Sequence, residues 1–288
     1  MNNKIIKIKM NIYKLWNRVI PPLLHGDTKI IKTKHNFSMY IYKRDRVISK
    51  EINDTGIWEP LETNFLLSNL NKNDCFIDIG ANIGYYSFLA STIIGNEGFV
   101  YSFEPTSSHF NLIKETIKLN KFYNIKPFNV AICSDDSFRK IYLNYKNFGN
   151  LSLMKKNVRF NLLHEYIQCV NGDNFFKIQN IGKIDFLKID VEGFENIVLK
   201  NLQNIIADNS KHIIIMLEIW NKNLFDKGEA TGFNKNIYSI LSSFVNILYI
   251  DKRKNKLTYI DGINFFNTDE YKNEDMINII LSNKELQY

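Results

Sequence analysis

The sequence predicts an α/β fold, a doubly wound and mostly parallel sheet of seven strands finished by an antiparallel C-terminal hairpin. Three observations predict it. From Trp58 onward, short apolar runs alternate with segments of helical period, the rhythm of strand–helix–strand units. The run Cys75 to Ile79 stops at the turn Gly80-Ala81-Asn82-Ile83-Gly84 and hands over to Tyr85, Phe88, Leu89 and Ile93 at helical spacing. Near the end, the runs 245–250 and 257–266 are separated only by the polar turn Asp251 to Lys256. That turn is too short for a parallel crossover, so the two runs pair antiparallel.

The elements follow in order. The first 22 residues place Ile5, Ile8, Ile12, Leu15 and Val19 on one helical face with lysines opposite, and Pro21-Pro22 ends the pattern. FSMYIYKRDRVISK, residues 37–50, alternates as a hairpin does. Residues 1–57 therefore read as an N-terminal extension, available for packing on the domain or on a second subunit in a homo-oligomer. The α/β domain spans 58–288. It contains helix 61–70, strand 75–79, helix 84–94, strand 99–104, helix 107–120 and strand 125–132. An insert of about 138–172 follows, with a hairpin near 138–144 and a polar, basic, irregular stretch 146–172 suited to a lid. Then come strand 184–190, helix 194–207, strand 213–220, helix 234–244 and the closing hairpin.

Composition excludes several classes. With 288 residues, 45% of them hydrophobic, the chain can bury a substantial core. Cys75, Cys133 and Cys169 are far apart and form no C-x-x-C pair, which argues for buried thiols in a reducing, cytoplasmic compartment and against zinc. No apolar run reaches the ~18–20 residues of a membrane span. The net charge of +7 is spread through a chain rich in Lys and Asn. Basic clusters such as Lys155-Lys156-Arg159 and Lys252-Arg253-Lys254 read as a solvated face, or as suited to the phosphates of a nucleotide-linked sugar or an acidic glycan.

Ligands of doubly wound sheets sit beyond the carboxyl ends of the strands. Gly80 and Gly84 remove Cβ atoms there, so a ligand can lie against the backbone. The spacing is G-x-x-x-G, one residue short of the dinucleotide fingerprint, and Asp78 beside it disfavours a pyrophosphate. Asp78 suits a ligand amino group instead. Glu104 ends the second strand about 20 residues beyond the turn, where a carboxylate accepts from ribose hydroxyls. An adenosine-like ribose with an amino group and no pyrophosphate describes S-adenosylmethionine.

The blocks WEPLETNFL, DCFIDIGANIGYYSFLAS, GFVYSFEPTSSHFNLIKETIKLN, IDFLKIDVEGFENIVLKNL and IIIMLEIW occur in that order. Over about residues 58–266 the chain resembles the FkbM family of S-adenosylmethionine-dependent methyltransferases. The resemblance implies a Rossmann-like class I methyltransferase fold. It places Asp78, Gly80, Asn82, Gly84 and Glu104 on the cofactor motif and Glu59 beside the cofactor's amino-acid end. It implies O-methylation, most often of sugars of bacterial surface glycans or their precursors, and otherwise of secondary-metabolite hydroxyls. The acceptor is accordingly a small molecule or a glycan, with nucleotide-linked sugars included.

A neutral hydroxyl must lose its proton as the methyl arrives. Lys188, Asp190 and Glu192 share one side of an extended chain, and Asp190 and Glu218 end neighbouring strands. Two mechanisms stay open. Asp190 and Glu218, joined or not by Glu192, hold a divalent Mg or Mn ion through oxygen ligands, or a carboxylate of raised pKa is the base. A simple Lys188–Asp190 pair with Glu192 capping the next helix is the plainer alternative. An RNA-directed methyltransferase is the second function class. Asp-Val-Glu-Gly replaces the Asn/Asp-Pro-Pro-aromatic clamp of base-directed enzymes, so no nucleic-acid partner is expected. A nicotinamide oxidoreductase lacks the third glycine spacing.

Overall fold

The computed structural model describes residues 27–142, 164–220, 235–260 and 276–287. The N-terminal amphipathic segment, the first part of the proposed lid (146–163) and residues 261–266 of the last expected strand lie outside the described residues.

Strands β1 (Thr28–Lys32) and β2 (Ser38–Tyr42) form a hairpin, and helices α1 (Ile48–Thr55) and α2 (Pro60–Asn69) follow. The hairpin lies earlier than the alternation suggested. Asp45 accepts hydrogen bonds from the Val47 and Ser49 N–H groups, and this starts a helix where a second strand was expected. Strand β3 (Cys75–Ile79), helix α3 (Tyr85–Ile94), strand β4 (Phe99–Phe103), helix α4 (Ser107–Asn120) and strand β5 (Ile125–Phe128) then build one half of the sheet. Three short strands come next, β6 (Ala131–Cys133), β7 (Ser137–Tyr142) and β8 (His164–Asn171), with helix α5 (Gly172–Ile178). The other half comprises β9 (Phe186–Ile189), α6 (Glu195–Asn201), α7 (Gln203–Asn209), β10 (Ile214–Trp220), α8 (Lys235–Leu241), β11 (Asn246–Asp251), β12 (Lys256–Tyr259) and β13 (Met276–Ser282).

The central sheet has eight strands in the order β12-β11-β13-β10-β9-β3-β4-β5. Strands β10, β9, β3, β4 and β5 pair in parallel. The expected hairpin of β11 and β12 is antiparallel and forms the edge. The difference is β13, a near-continuous apolar run that inserts antiparallel between β10 and β11 and adds the eighth strand. A small second sheet, ordered β6-β8-β7, stands beside the main one. It draws β8 out of the stretch read as irregular, and α5 begins where that stretch ends.

Strand alternation divides the core into two faces. Ile77, Leu187, Leu217 and Ile279 point toward α6, α7 and α8. Phe76, Phe186, Met216 and Ile280 point toward α2, α3 and the β1–β2 hairpin. Phe76 and Phe65 pack on Phe186 with ring centroids 5.5 and 6.2 Å away. Helix α3 is buried along most of its length because it is held between sheet and hairpin. No helix among the described residues is long and apolar enough to cross a membrane.

Candidate active site

In sheet order, the carboxyl ends of β4, β3, β9 and β10 present Glu104, Gly80, Asp190 and Glu218. All four line a cavity of about 500 Å³. This is the ligand end of a doubly wound sheet.

The turn after β3 is shaped by left-handed residues: Gly80 at φ 86°, Asn82 at φ 52° and Gly84 at φ 89°. Gly80 is required twice over. Its φ favours glycine, and a Cβ there would lie 1.8 Å from the carbonyl oxygen of Asp190. The N–H groups of Gly80 and Ala81 both donate to the Phe103 carbonyl at 3.0 Å, which ties the turn to β4. The Asn82 N–H donates to Glu104 Oε2 at 2.9 Å. Glu104 Oε1 accepts from the Thr106 N–H at 2.8 Å and the Thr106 hydroxyl at 2.6 Å. The protein therefore fills three of the roughly four acceptor positions of this carboxylate. One position is left for a ligand hydroxyl rather than the pair that a free strand-end glutamate would offer.

Asp78 sits lower than its place in the sequence suggests. It is fully buried, is not among the cavity-lining residues, and accepts from the Ser87 hydroxyl at 2.6 Å. Burial raises its pKa, with Lys188 pulling the other way. Its register partner on β9 is Lys188.

The β9–β10 end carries the charge. Lys188 Nζ donates to Asp190 Oδ2 at 2.8 Å and lies 4.8 Å from the centre of the Tyr86 ring. Burial works against the ammonium, yet Asp190, Asp78 and Glu59 hold its proton on more firmly than usual. Glu192, at φ 53°, follows in the turn. One oxygen each of Asp190, Glu192 and Glu218 lie within 4.8 Å of one another. Burial, then Asp190 and Glu192, push the Glu218 pKa well above the ordinary glutamate value. Glu195 is buried and accepts from the Gly193 N–H at 2.6 Å, which closes the turn.

Glu59 enters the cavity from the N-terminal side of α2. Tyr86 donates its hydroxyl proton to Glu59 Oε2 at 2.9 Å, and Lys252 donates to Oε1 at 2.6 Å. Lys252 also reaches Glu62 at 3.1 Å. Burial and the neighbouring Glu62 raise the Glu59 pKa. Tyr86 and Lys252 were not legible as site residues. Tyr86 looks like one more apolar helix position, and Lys252 belongs to a basic turn 193 residues from Glu59. His164 begins β8 against the Tyr166 ring, and His109 is buried near Glu104; neither lines the cavity.

Comparison with known proteins adds to this geometry. The hexuronic acid methyltransferase AglP of Haloferax volcanii is 25% identical over 146 residues, covering 48% of this chain. The chain spans about half of that relative, 54% of its length. Among solved structures, methyltransferase FkbM from Methylobacillus flagellatus KT is 17% identical with a TM-score of 0.35, covering 52% of this chain and 33% of that one. Aeropyrum pernix fibrillarin in complex with S-adenosyl-L-methionine is 12% identical with a TM-score of 0.42, covering 90% and 85%. The family description methyltransferase FkbM domain matches residues 78–251, more than half of the chain. That match takes in the glycine turn, Glu104 and the β9–β10 carboxylates, and on it the chain belongs to the FkbM methyltransferase family.

Proposed function

We propose that the chain is an S-adenosylmethionine-dependent O-methyltransferase acting on a carbohydrate hydroxyl. The observation that carries this reading is the single cavity joining the Gly80–Gly84 turn and Glu104 to Lys188, Asp190 and Glu218. The open acceptor position on Glu104 fits a ribose-bearing ligand, while the missing Cβ at Gly80 makes room for the Asp190 carbonyl and so sets the β9 turn against the β3 turn. S-adenosylmethionine, when bound, supplies an electrophilic methyl group. The remaining work belongs to the protein. Glu104 accepts from a ribose hydroxyl, and Glu59 faces the amino-acid end. Asp190, steadied by Lys188 on Oδ2, accepts the hydrogen bond of the acceptor hydroxyl and orients it. Glu218, whose proton affinity is raised, takes the proton. The carbohydrate acceptor is supported by the hexuronic acid relative, and a secondary-metabolite hydroxyl is the competing acceptor.

The close approach of Asp190, Glu192 and Glu218 supports a second reading, in which a Mg or Mn ion neutralises the three carboxylates. One experiment separates these. Isothermal titration with S-adenosylhomocysteine, then mass-spectrometric assay of methyl transfer to a sugar and nucleotide-sugar panel, is run with and without EDTA. Binding and EDTA-resistant transfer are expected from the carboxylate-base mechanism. EDTA-sensitive transfer restored by Mg²⁺ or Mn²⁺ selects the metal reading. Absence of S-adenosylhomocysteine binding rejects the proposal.

A further inference from the structure

We infer that Tyr86 is a positioning residue for the cofactor: its hydroxyl holds the Glu59 carboxylate where the amino group of the S-adenosyl ligand arrives. This rests on the methyltransferase reading and deepens it.

Glu59 is placed for something other than its helix. It precedes α2, where a carboxylate ordinarily accepts from the free N–H groups of the first turn. Its side chain makes no such bond and lines the cavity instead. Its backbone is left-handed, at φ 45°, a conformation that a glutamate keeps only where its surroundings impose it. Both of its oxygens are held, Oε2 by the Tyr86 hydroxyl at 2.9 Å and Oε1 by Lys252 at 2.6 Å. A carboxylate has roughly four acceptor positions, so about two stay open to a further donor.

The two holds differ in stiffness. Lys252 is half exposed and reaches in on a flexible four-carbon stem. Tyr86 is buried and packs edge-on against Tyr85 at 5.4 Å. It stands in the first turn of α3, which the Ser87 hydroxyl ties to Asp78 at 2.6 Å. The Tyr86 ring also lies 4.8 Å from Lys188 Nζ. An ammonium over a ring face is attracted without needing an acceptor there. Lys188 accordingly pairs with Asp190, and Glu59 pairs with Lys252.

The glycine turn and the start of α3 form one short segment, and it reaches both carboxylates assigned to the ligand. The Asn82 N–H donates to Glu104 at the ribose end, and the Tyr86 hydroxyl donates to Glu59 at the amino-acid end. Residues 82–86 therefore set the spacing between the two carboxylates across a single cavity.

The test is isothermal titration of the full chain with two ligands. One is S-adenosylhomocysteine. The other is 5′-methylthioadenosine, which keeps the adenosine and thioether but has no amino-acid end. Tyr86→Phe retains the ring and removes the hydroxyl. It is expected to weaken S-adenosylhomocysteine about tenfold, the scale of a hydrogen bond to a charged group, and to leave 5′-methylthioadenosine within about twofold. Glu59→Gln is expected to show the same selective loss. Adding Tyr86→Phe to Glu59→Gln is expected to cost less than about a further twofold, because the hydroxyl acts through that carboxylate. Equal weakening of both ligands overturns the inference, since a merely structural role loosens the whole site. So does an unchanged S-adenosylhomocysteine affinity in Tyr86→Phe, or the full tenfold effect persisting beside Glu59→Gln. Loss of the cooperative melt in Tyr86→Phe marks the hydroxyl as a fold contact and overturns it too. Each of these results leaves the methyltransferase reading standing, whereas a wild-type chain that binds neither ligand overturns both.

Discussion

Gly80 has no tolerance for a side chain, because the carbonyl oxygen of Asp190 occupies the space a Cβ would need. Gly80→Ala must push apart the β3 and β9 turns and is expected to cost at least about 3 kcal/mol, from strain plus overpacking. Urea denaturation read by circular dichroism measures it, and a loss under 1 kcal/mol would show that the turns yield. Asp190→Asn keeps the shape and removes the charge. Turnover is expected to fall on the order of 10²-fold, with S-adenosylhomocysteine affinity nearly unchanged by calorimetry. Glu218 governs pH dependence. Its carboxyl holds its proton above the usual glutamate range, so the base form, and with it kcat/KM, is gained as pH rises through that elevated pKa. The wild-type profile is expected to keep climbing past the range of an ordinary glutamate, and Glu218→Gln to flatten that limb at a lower rate. A wild-type profile already level at pH 5 would exclude Glu218 as the base.

At the scale of elements, the N-terminus of α4 and strand β8 share a buried carboxyl. Glu165 on β8 is fully buried and accepts from the Ser107 N–H at 2.6 Å. Burial carries its pKa from 4.5 to about 7. Raised in the folded state, this group stabilises fully below pH 4.5, and the contribution is lost as pH rises through 7. Between pH 5 and 8, wild-type stability is expected to fall by up to about 3 kcal/mol more than that of Glu165→Gln, following the linkage of ~1.4 kcal/mol per pKa unit. Parallel pH-dependent melts of both proteins would show it, and identical slopes would refute it. Glu165 is also why β8 was hard to read. Its faces alternate in the structure, but a carboxylate at a buried position makes HEYIQCVN look solvated. The parallel half was legible because β3, β4 and α4 announce themselves through apolar runs and through buried positions His109, Ile113 and Thr116 at helical spacing. The expected helix 194–207 breaks at Leu202. The Asn201 side chain bonds back to the Ile197 carbonyl, and Gly172 packs against the Asn201 carbonyl. The expected strand 125–132 splits at Asn129, whose amide donates to the Glu104 and Pro105 carbonyls. Residue types and strand ends were enough to place Glu104, Asp190 and Glu218 around one cavity. The Glu59–Tyr86–Lys188 contacts depend on α2, α3 and β9 meeting, which local spacing does not encode.

For the whole molecule, residues 37–42 contribute to the core as fully as the sheet does. Phe37 is 2% exposed, with Tyr85 and Phe88 ring centroids 5.8 and 5.9 Å away, and Met39 and Ile41 are buried beside it. Phe37→Ala is expected to cost about 3–5 kcal/mol, visible as a lower urea midpoint at unchanged m-value. A shift below 1 kcal/mol would mean the hairpin docks only loosely. Strand β13 has a different consequence, in time rather than space. A ribosome releases β10 and β11 before β13, yet β13 lies between them and pairs with both. Until it emerges, the nascent chain carries two facing strand edges with unpaired N–H and C=O groups, the kind of edge that recruits other chains. The parallel half can form while synthesis continues, since domains assemble from the N-terminal side first. Closure of the sheet waits for residues 276–282, and a stall upstream of them would leave an open slot seven residues long beside the carboxylates of the cavity.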